Sequence, residues 1–375
     1  MKVRSITAFQ ALGDEPLGAA VAEVGKLLRA ARAQIQDGGV EVQTVRLALG
    51  ASLPGGTDLV DFATELEGAC LESGVEYVSL GPLPIGRLEL VPELIAATSI
   101  VFVGATVAAE QGVDWRAVRA AARAIAAIAR ASADGFGNLR FGALARCPAL
   151  IPFFPAARHD GGGPALALAL EGADLAQAAA REARSLDEVA DAVASRFDAA
   201  CRPLEAEARR IARRRGRRYA GLDLSPAPFP DDQTSLAGAI EAISGARFGR
   251  RGTVAAAAAI AQGLRQTSVQ RGGFSGLMLP VLEDSILARR SAEGSLGLTD
   301  LLLASTVCGT GLDTVPLPGD ASEEALAALI GEVATLADRL DKPLTARLLP
   351  VPGKRAGEQT SYDFPFFANG RVLPL

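Results

Sequence analysis

The sequence predicts an α/β fold, on two observations. Short β-branched runs at Val3–Phe9, Val40–Leu49, Tyr77–Leu80 and Ile100–Val103 alternate with Ala/Leu-rich stretches of helical spacing, the order that lays helices over a sheet. The chain of 375 residues is also 49% hydrophobic and 22% charged, the composition of a globular protein able to bury a large core. No repeat of fixed period and no long linker divides it, so residues 1–375 read as a single large α/β domain.

The elements follow in order. Val3–Phe9 opens as a strand, and Ala19–Gln34 and Leu59–Glu72 are helical by spacing. In Trp115–Ala133, Arg116, Arg119, Arg123 and Arg130 fall among apolar positions, the pattern of a helix with one wet face. Ser185 with Glu188 forms a capping-box signature, which starts a long helix toward Arg215. The alanine run after Gly252 reads as a buried helix. Leu222 and Leu224 flank Asp223 at a strand end, and the apolar stretch before Glu283 reads as a strand whose carboxyl end carries Glu283, Asp284 and Ser285. Asp231 or Asp232 fits the cap of a helix near Thr234, and Asp284 or Ser285 the cap of one over Ile286–Arg290.

Charge and cysteine usage narrow the function classes. A net charge of −5 provides no general field for a nucleic-acid backbone, and the arginine run Arg209–Arg218 reads as the solvated end of a helix. Cys70, Cys147, Cys201 and Cys308 show neither C-x-x-C pairing nor a disulfide framework, which places the chain in a reducing cytoplasm. No apolar stretch reaches membrane-spanning length and the N-terminus lacks a signal-peptide pattern, so no membrane partner is expected. The Ala/Leu helix faces would support a homodimer, although no heptad pattern specifies one.

The polar groups that carry chemistry sit at chain breaks. Asp134–Gly163 combines glycines, aromatics and the chain's sole histidine, His159, a group that titrates near neutral pH. Its glycine spacing matches no nucleotide-binding fingerprint. Gly221–Ser235 carries Asp223, Arg271–Ser285 carries Ser275, Glu283 and Asp284, and Ser305–Asp320 carries Cys308, Asp313 and Asp320.

Three strings, Pro280–Ala288, Val307–Asp320 and Lys342–Arg347, resemble the DUF711 or UPF0210 family, with Cys147–Phe154 and Ser225–Ser235 also similar to its pattern. The resemblance implies a fold similar to the pyruvate formate-lyase type of glycyl radical enzymes: a large α/β barrel of two antiparallel halves around a central loop, a place open to Cys308. It does not imply radical chemistry. The tail Asn369–Leu375 puts Gly370 before Arg371 and Val372 with no Gly-Tyr after them, so no glycyl radical is expected.

From the residues, the expected function is a small-molecule enzyme acting on an anionic ligand or metabolite at a barrel mouth, by metal-assisted hydrolysis, lyase chemistry or isomerisation. Asp223, Glu283, Asp284, Asp313 and Asp320 would hold a divalent cation (Mg, Ca, Mn or Zn), since hard cations take carboxylate oxygens. Arg140, Ser275, Arg347 and Lys354 would contact the substrate, with His159 as acid or base and Asp313 also catalytic. Two alternatives use the same segments: Cys308 as a thiol nucleophile, or a ligand-binding or regulatory protein without turnover.

Overall fold

A computed structural model describes residues 1–13, 15–50 and 58–375. The first half is a run of βα units: β1 (Lys2–Phe9), α1 (Leu17–Asp37), β2 (Val42–Ala48), α2 (Leu59–Glu72), β3 (Tyr77–Pro82), α3 (Val91–Ala97), β4 (Val101–Ala109), the short β5 (Gly112–Val113), α4 (Trp115–Ala131) and β6 (Phe141–Ala145). The second half is richer in helix: β7 (Ala165–Glu171), α5 (Ala173–Glu182), α6 (Leu186–Arg214), β8 (Arg218–Asp223), α7 (Leu236–Ser244), α8 (Thr253–Gln266), α9 (Ser285–Ala292), α10 (Leu298–Ser305), β9 (Gly311–Pro318), α11 (Glu323–Leu340) and β10 (Leu344–Val351).

These strands form one ten-stranded sheet in the order β8-β7-β1-β2-β3-β4-β6-β10-β9, with β5 on β4. β1, β2, β3, β4 and β6 are mutually parallel. On each flank the direction reverses, at β1/β7 and at β6/β10, and the outer pairs β7/β8 and β10/β9 are again parallel within themselves. The two edges do not pair with each other. Instead the segment between them makes one bridge to each, Arg271 with Leu222 of β8 and Pro280 with Asp313 of β9. The α/β class expected from the sequence is therefore present.

Strand pleating separates two faces, because successive side chains point opposite ways. Ile6 and Ala8 join Val21, Val24 and Leu28 of α1 in the main apolar core. Ser5 and Thr7, fully buried, turn the other way. Onto that second face folds the segment 147–160: Ser5 Oγ donates to Pro152 O at 3.5 Å, Ser79 Oγ to Ala157 O at 2.7 Å, and His159 N to Leu49 O at 2.9 Å. Gly142 of β6 is needed there, since a Cβ would lie 2.9 Å from Pro155 Cγ. The buried strand hydroxyls thus exist to satisfy carbonyls of an inserted loop.

Three local expectations are corrected. Cys308 is not in the loop across the sheet, which is 147–160; it follows α10, buried against the turn Gly309–Gly311. The stretch before Glu283 is no strand; it contributes only the bridge at Pro280 and then turns. Ser185 precedes α6 but its hydroxyl makes no capping hydrogen bond: Glu188 N donates to the Ser185 carbonyl at 3.2 Å, and the Glu188 carboxylate reaches past Ser185 to Arg184 N. Asp231 does cap a short turn through Gln233 N, while Ser235 caps α7. Among the described residues no helix is long and apolar enough to cross a membrane.

Candidate anion-binding cavity

The second face of the sheet lines a partly open cavity of about 90 Å³. Arg4 enters from β1, Arg46 from β2, Tyr77 from β3, Phe102 from β4, Glu171 from β7, Asp223 from β8 and Arg347 from β10. Phe153 and Phe154 come from the inserted loop, and Phe229, Glu283, Phe364 and Phe366 close the remaining sides. Charged groups in so apolar a chamber need partners, since an unpaired buried charge is costly.

Two of the three guanidiniums have partners. Arg347, 4% exposed, donates through Nε to Asp313 Oδ1 at 2.5 Å and through Nη2 to Glu283 Oε1 at 3.1 Å. Arg4 Nη2 takes the other oxygen, Glu283 Oε2, at 2.7 Å. Glu283 is thus clamped between two arginines, and Arg347 lies 5.2 Å from the Phe153 ring centroid. Burial opposes the charge on Arg347, but the attraction of Asp313 and Glu283 outweighs it and its pKa rises. Asp313 shifts up as well: its burial, aided by Glu283, exceeds the pull of Arg347, and its Oδ2 has no hydrogen-bond partner.

Arg46 differs. It is 8% exposed, and its protein hydrogen bond runs from Nε to Thr44 Oγ1 at 2.8 Å. Its guanidinium carbon lies 5.3 Å from the ring centroids of both Tyr77 and Phe154. No carboxylate lies within ion-pair distance of it among the described residues, and its Nη groups donate to none of them. Burial first, and then repulsion from Arg4, pull its pKa down to about 9, so it remains cationic at neutral pH. A bound anion relieves both effects. Glu171 is the counterpart acid: 7% exposed, with one weak contact from Gln43 Nε2 at 3.4 Å, its pKa is raised by burial.

Of the expected site residues, Asp223, Glu283, Asp313 and Arg347 converge on this cavity or its ion network. Asp223, however, is spent on structure. Its carboxylate accepts from Ser225 N, Phe274 N and Ser275 N, each at 3.0 Å, and from Ser225 Oγ at 2.5 Å. It pins the 272–276 turn, where Gly273 at φ +61 leaves no room for a Cβ beside that carboxylate; burial raises its pKa.

The other expected residues lie elsewhere. Asp284 caps α9 through Ile286 N and Leu287 N and also holds Ser235 Oγ and Ala237 N. Asp320 is exposed on the turn after β9, and Lys354 sits half-buried beyond β10. Arg140 is consumed by Ile95 O, Thr98 Oγ1 and Val101 O. Ser275 donates to Gly272 O at 2.7 Å, a turn-holding bond. His159, 4% exposed, has Nδ1 accepting from Gly161 N at 3.3 Å and Nε2 3.4 Å from Gly163 O, away from the cavity. Cys308 lines a separate groove with Lys342, whose ammonium is spent on the carbonyls of Ser305, Thr306 and Cys308. Of the five carboxylates expected around one cation, Asp223, Glu283 and Asp313 reach the cavity or its ion network but are held by backbone N–H groups or arginines, while Asp284 and Asp320 lie elsewhere. Among the described residues no group of three or more His, Cys, Asp or Glu side chains is placed to hold a metal ion.

Arg4, Arg46 and Glu171 were not anticipated. The available signal was a charged residue inside an otherwise largely buried strand, as in Val42–Ala48, where Arg46 stands between Val45 and Leu47. Such a charge has no solvent face to occupy and needs an interior reason.

Comparison with known proteins gives a consistent relationship. The family described as Uncharacterised ACR (DUF711) matches residues 1–363. The chain is 32% identical over 345 residues to a UPF0210 protein of Pyrobaculum arsenaticum, covering 85% of this chain and 76% of that one. To a UPF0210 protein of Desulforudis audaxviator it is 34% identical over 316 residues, covering 79% and 70%.

Proposed function

The chain belongs to the DUF711 family, and we propose that this member is a small-molecule enzyme whose central cavity takes a substrate through an anionic group. One observation carries the reading: Arg46 is a buried guanidinium, flanked by Tyr77 and Phe154, with no carboxylate at ion-pair distance among the described residues. Arg4 and Arg347 are already committed to Glu283 and Asp313. The remaining charge is met by ligand, and the fork geometry of a guanidinium suits a carboxylate or phosphate.

Proton transfer is the chemistry these side chains serve best. Burial favours the protonated form of Glu171, which makes it the group to hold or deliver a proton at the cavity. The clamped Glu283 holds Arg4 and Arg347 in place around the ligand. Lyase or isomerase reactions fit this set, with the substrate's charge met by Arg46 rather than by a cation. We also read the sheet as a barrel of two antiparallel halves, similar to the pyruvate formate-lyase type, with 147–160 as its inner loop. The reversal of strand direction on both flanks and the bridges of 271–280 to both edges support this. Four free thiols fit a reducing cytoplasm.

The test is a thermal-shift screen of small carboxylates and phosphates against the wild type and Arg46→Gln. Stabilisation of the wild type that disappears in Arg46→Gln supports the site. Equal shifts in both proteins, or none in either, would remove Arg46 from the account.

A further inference from the structure

We propose that Thr44 is a positioning residue of this cavity: its hydroxyl holds the Nε edge of Arg46, so that the anionic group of a ligand, a carboxylate or a phosphate, is met end-on by the Nη groups. The inference rests on the anion-binding reading above and adds how the anchor is aimed.

Thr44 and Arg46 stand two positions apart on β2, so their side chains leave the same face of the sheet. Thr44 Oγ1 donates to Arg4 O at 2.8 Å, and Arg46 Nε donates to Thr44 Oγ1 at 2.8 Å. A hydroxyl has a single proton to give. With that proton committed to the carbonyl of the neighbouring strand, the oxygen turns a lone pair to Nε, and each bond polarises the other. Arg46 is thereby bent back along its own strand and held at one edge. The rings add a second restraint: Tyr77 and Phe154 lie 5.3 Å from the guanidinium carbon, and Phe102 stands edge-on to both at 5.3 and 5.4 Å. Aromatic faces attract the cation but take none of its N–H bonds.

What is left over is the Nη end. Arg46 lines the cavity, and among the described residues no protein acceptor takes its Nη groups. The acids that share the lining are engaged elsewhere: Asp223 with Ser225, Phe274 and Ser275, Glu283 with Arg4 and Arg347, and Glu171 with Gln43. Arg347 shows the contrast, since its Nε goes to Asp313 and its Nη2 to Glu283, which spends that side chain on protein. An arginine already held at Nε loses less rotamer freedom when an anion arrives, so the Thr44 hydroxyl contributes to affinity without touching the ligand.

The test is titration of the protein, with ¹⁵N-labelled arginine, by acetate and by inorganic phosphate, followed by NMR in the wild type, Thr44→Val, Thr44→Ser and Arg46→Gln. The Arg46 Nε–H signal is identified by its absence from Arg46→Gln. Thr44→Val keeps the shape and removes the hydroxyl; it should shift that signal, speed its exchange with water and weaken both anions by roughly tenfold. Thr44→Ser restores the hydroxyl and should recover most of the affinity and the slow exchange. Should Thr44→Val fail to melt cooperatively, Thr44→Ala takes its place with the same expectation. Arg46→Gln abolishing binding while the Thr44 variants bind as the wild type does, or Thr44→Ser binding as weakly as Thr44→Val, overturns the positioning role and leaves the anion site standing. Binding indifferent to residue 46, or no binding of either anion, overturns both.

Discussion

Replacing Arg347 by methionine removes the one group that holds Asp313 and half of what holds Glu283. Both acids are buried, at 1% and 6% exposure, so the loss leaves carboxylates without compensation rather than merely deleting a contact. Breaking a buried pair in this way costs about 3–5 kcal/mol. With unfolding entropy near 2.1 cal/mol/K per residue, 375 residues give roughly 0.8 kcal/mol per degree, so the melting temperature should fall by about 4–6 °C near pH 7. The pH dependence adds a second check. Asp313 is held above its ordinary value of 3.8, by burial first, while Arg347 pulls it down. An acid whose pKa is raised on folding binds its proton more tightly in the folded state. It therefore favours folding below its ordinary value, and that contribution is lost as pH rises through the raised one. Without Arg347 the raised value goes higher still. The deficit of Arg347→Met relative to the wild type should be largest near neutrality and shrink toward about pH 4. Circular-dichroism melts of both proteins at the two pH values measure it. An equal deficit at both, or no deficit at neutral pH, would refute the claim that Arg347 neutralises buried acids.

Other outcomes follow from the same geometry. Asp284→Ala strips the cap of α9 and two further donors in buried surroundings, and should cost about 2 kcal/mol or more by denaturant melting. Gly135→Ala would place a Cβ 2.1 Å from Pro350 O at a φ of +73, so it should destabilise by more than about 3 kcal/mol and raise susceptibility to limited proteolysis. Burial pushes the Cys70, Cys147 and Cys201 thiols up to about 12, and Cys308 is 2% exposed. Native protein treated with iodoacetamide near neutral pH should stay unlabelled by mass spectrometry at all four positions until denatured. Ready labelling of native Cys308 would revive the thiol mechanism.

The βα units were legible because their buried strands are rich in β-branched and apolar residues even where Arg4 or Arg46 interrupts them, and the helices between them keep helical spacing. Leu59–Glu72 begins and ends where its periodicity does. The final approach to Glu283 misled because an apolar run looks the same whether it pairs along its length or, as here, bridges at Pro280 alone. Asp223, Glu283, Asp313 and Arg347 were visible as polar groups at chain breaks, but their roles were not, since what neutralises a carboxylate depends on strands distant in sequence. Glu283 meets Arg4 across 279 positions. His159 attracted attention by being unique, yet its ring is occupied by its own loop. Arg46 gave the opposite case: an ordinary residue by composition, made unusual only by the sheet that buries it.

A crystal structure grown with a small carboxylate such as acetate tests the central claim most directly. The account predicts the carboxylate within hydrogen-bond distance of the Arg46 Nη groups, with Arg4 and Arg347 still paired to Glu283. A cavity holding only water at saturating carboxylate, or an Arg46 side chain turned to a protein carboxylate instead, would contradict it.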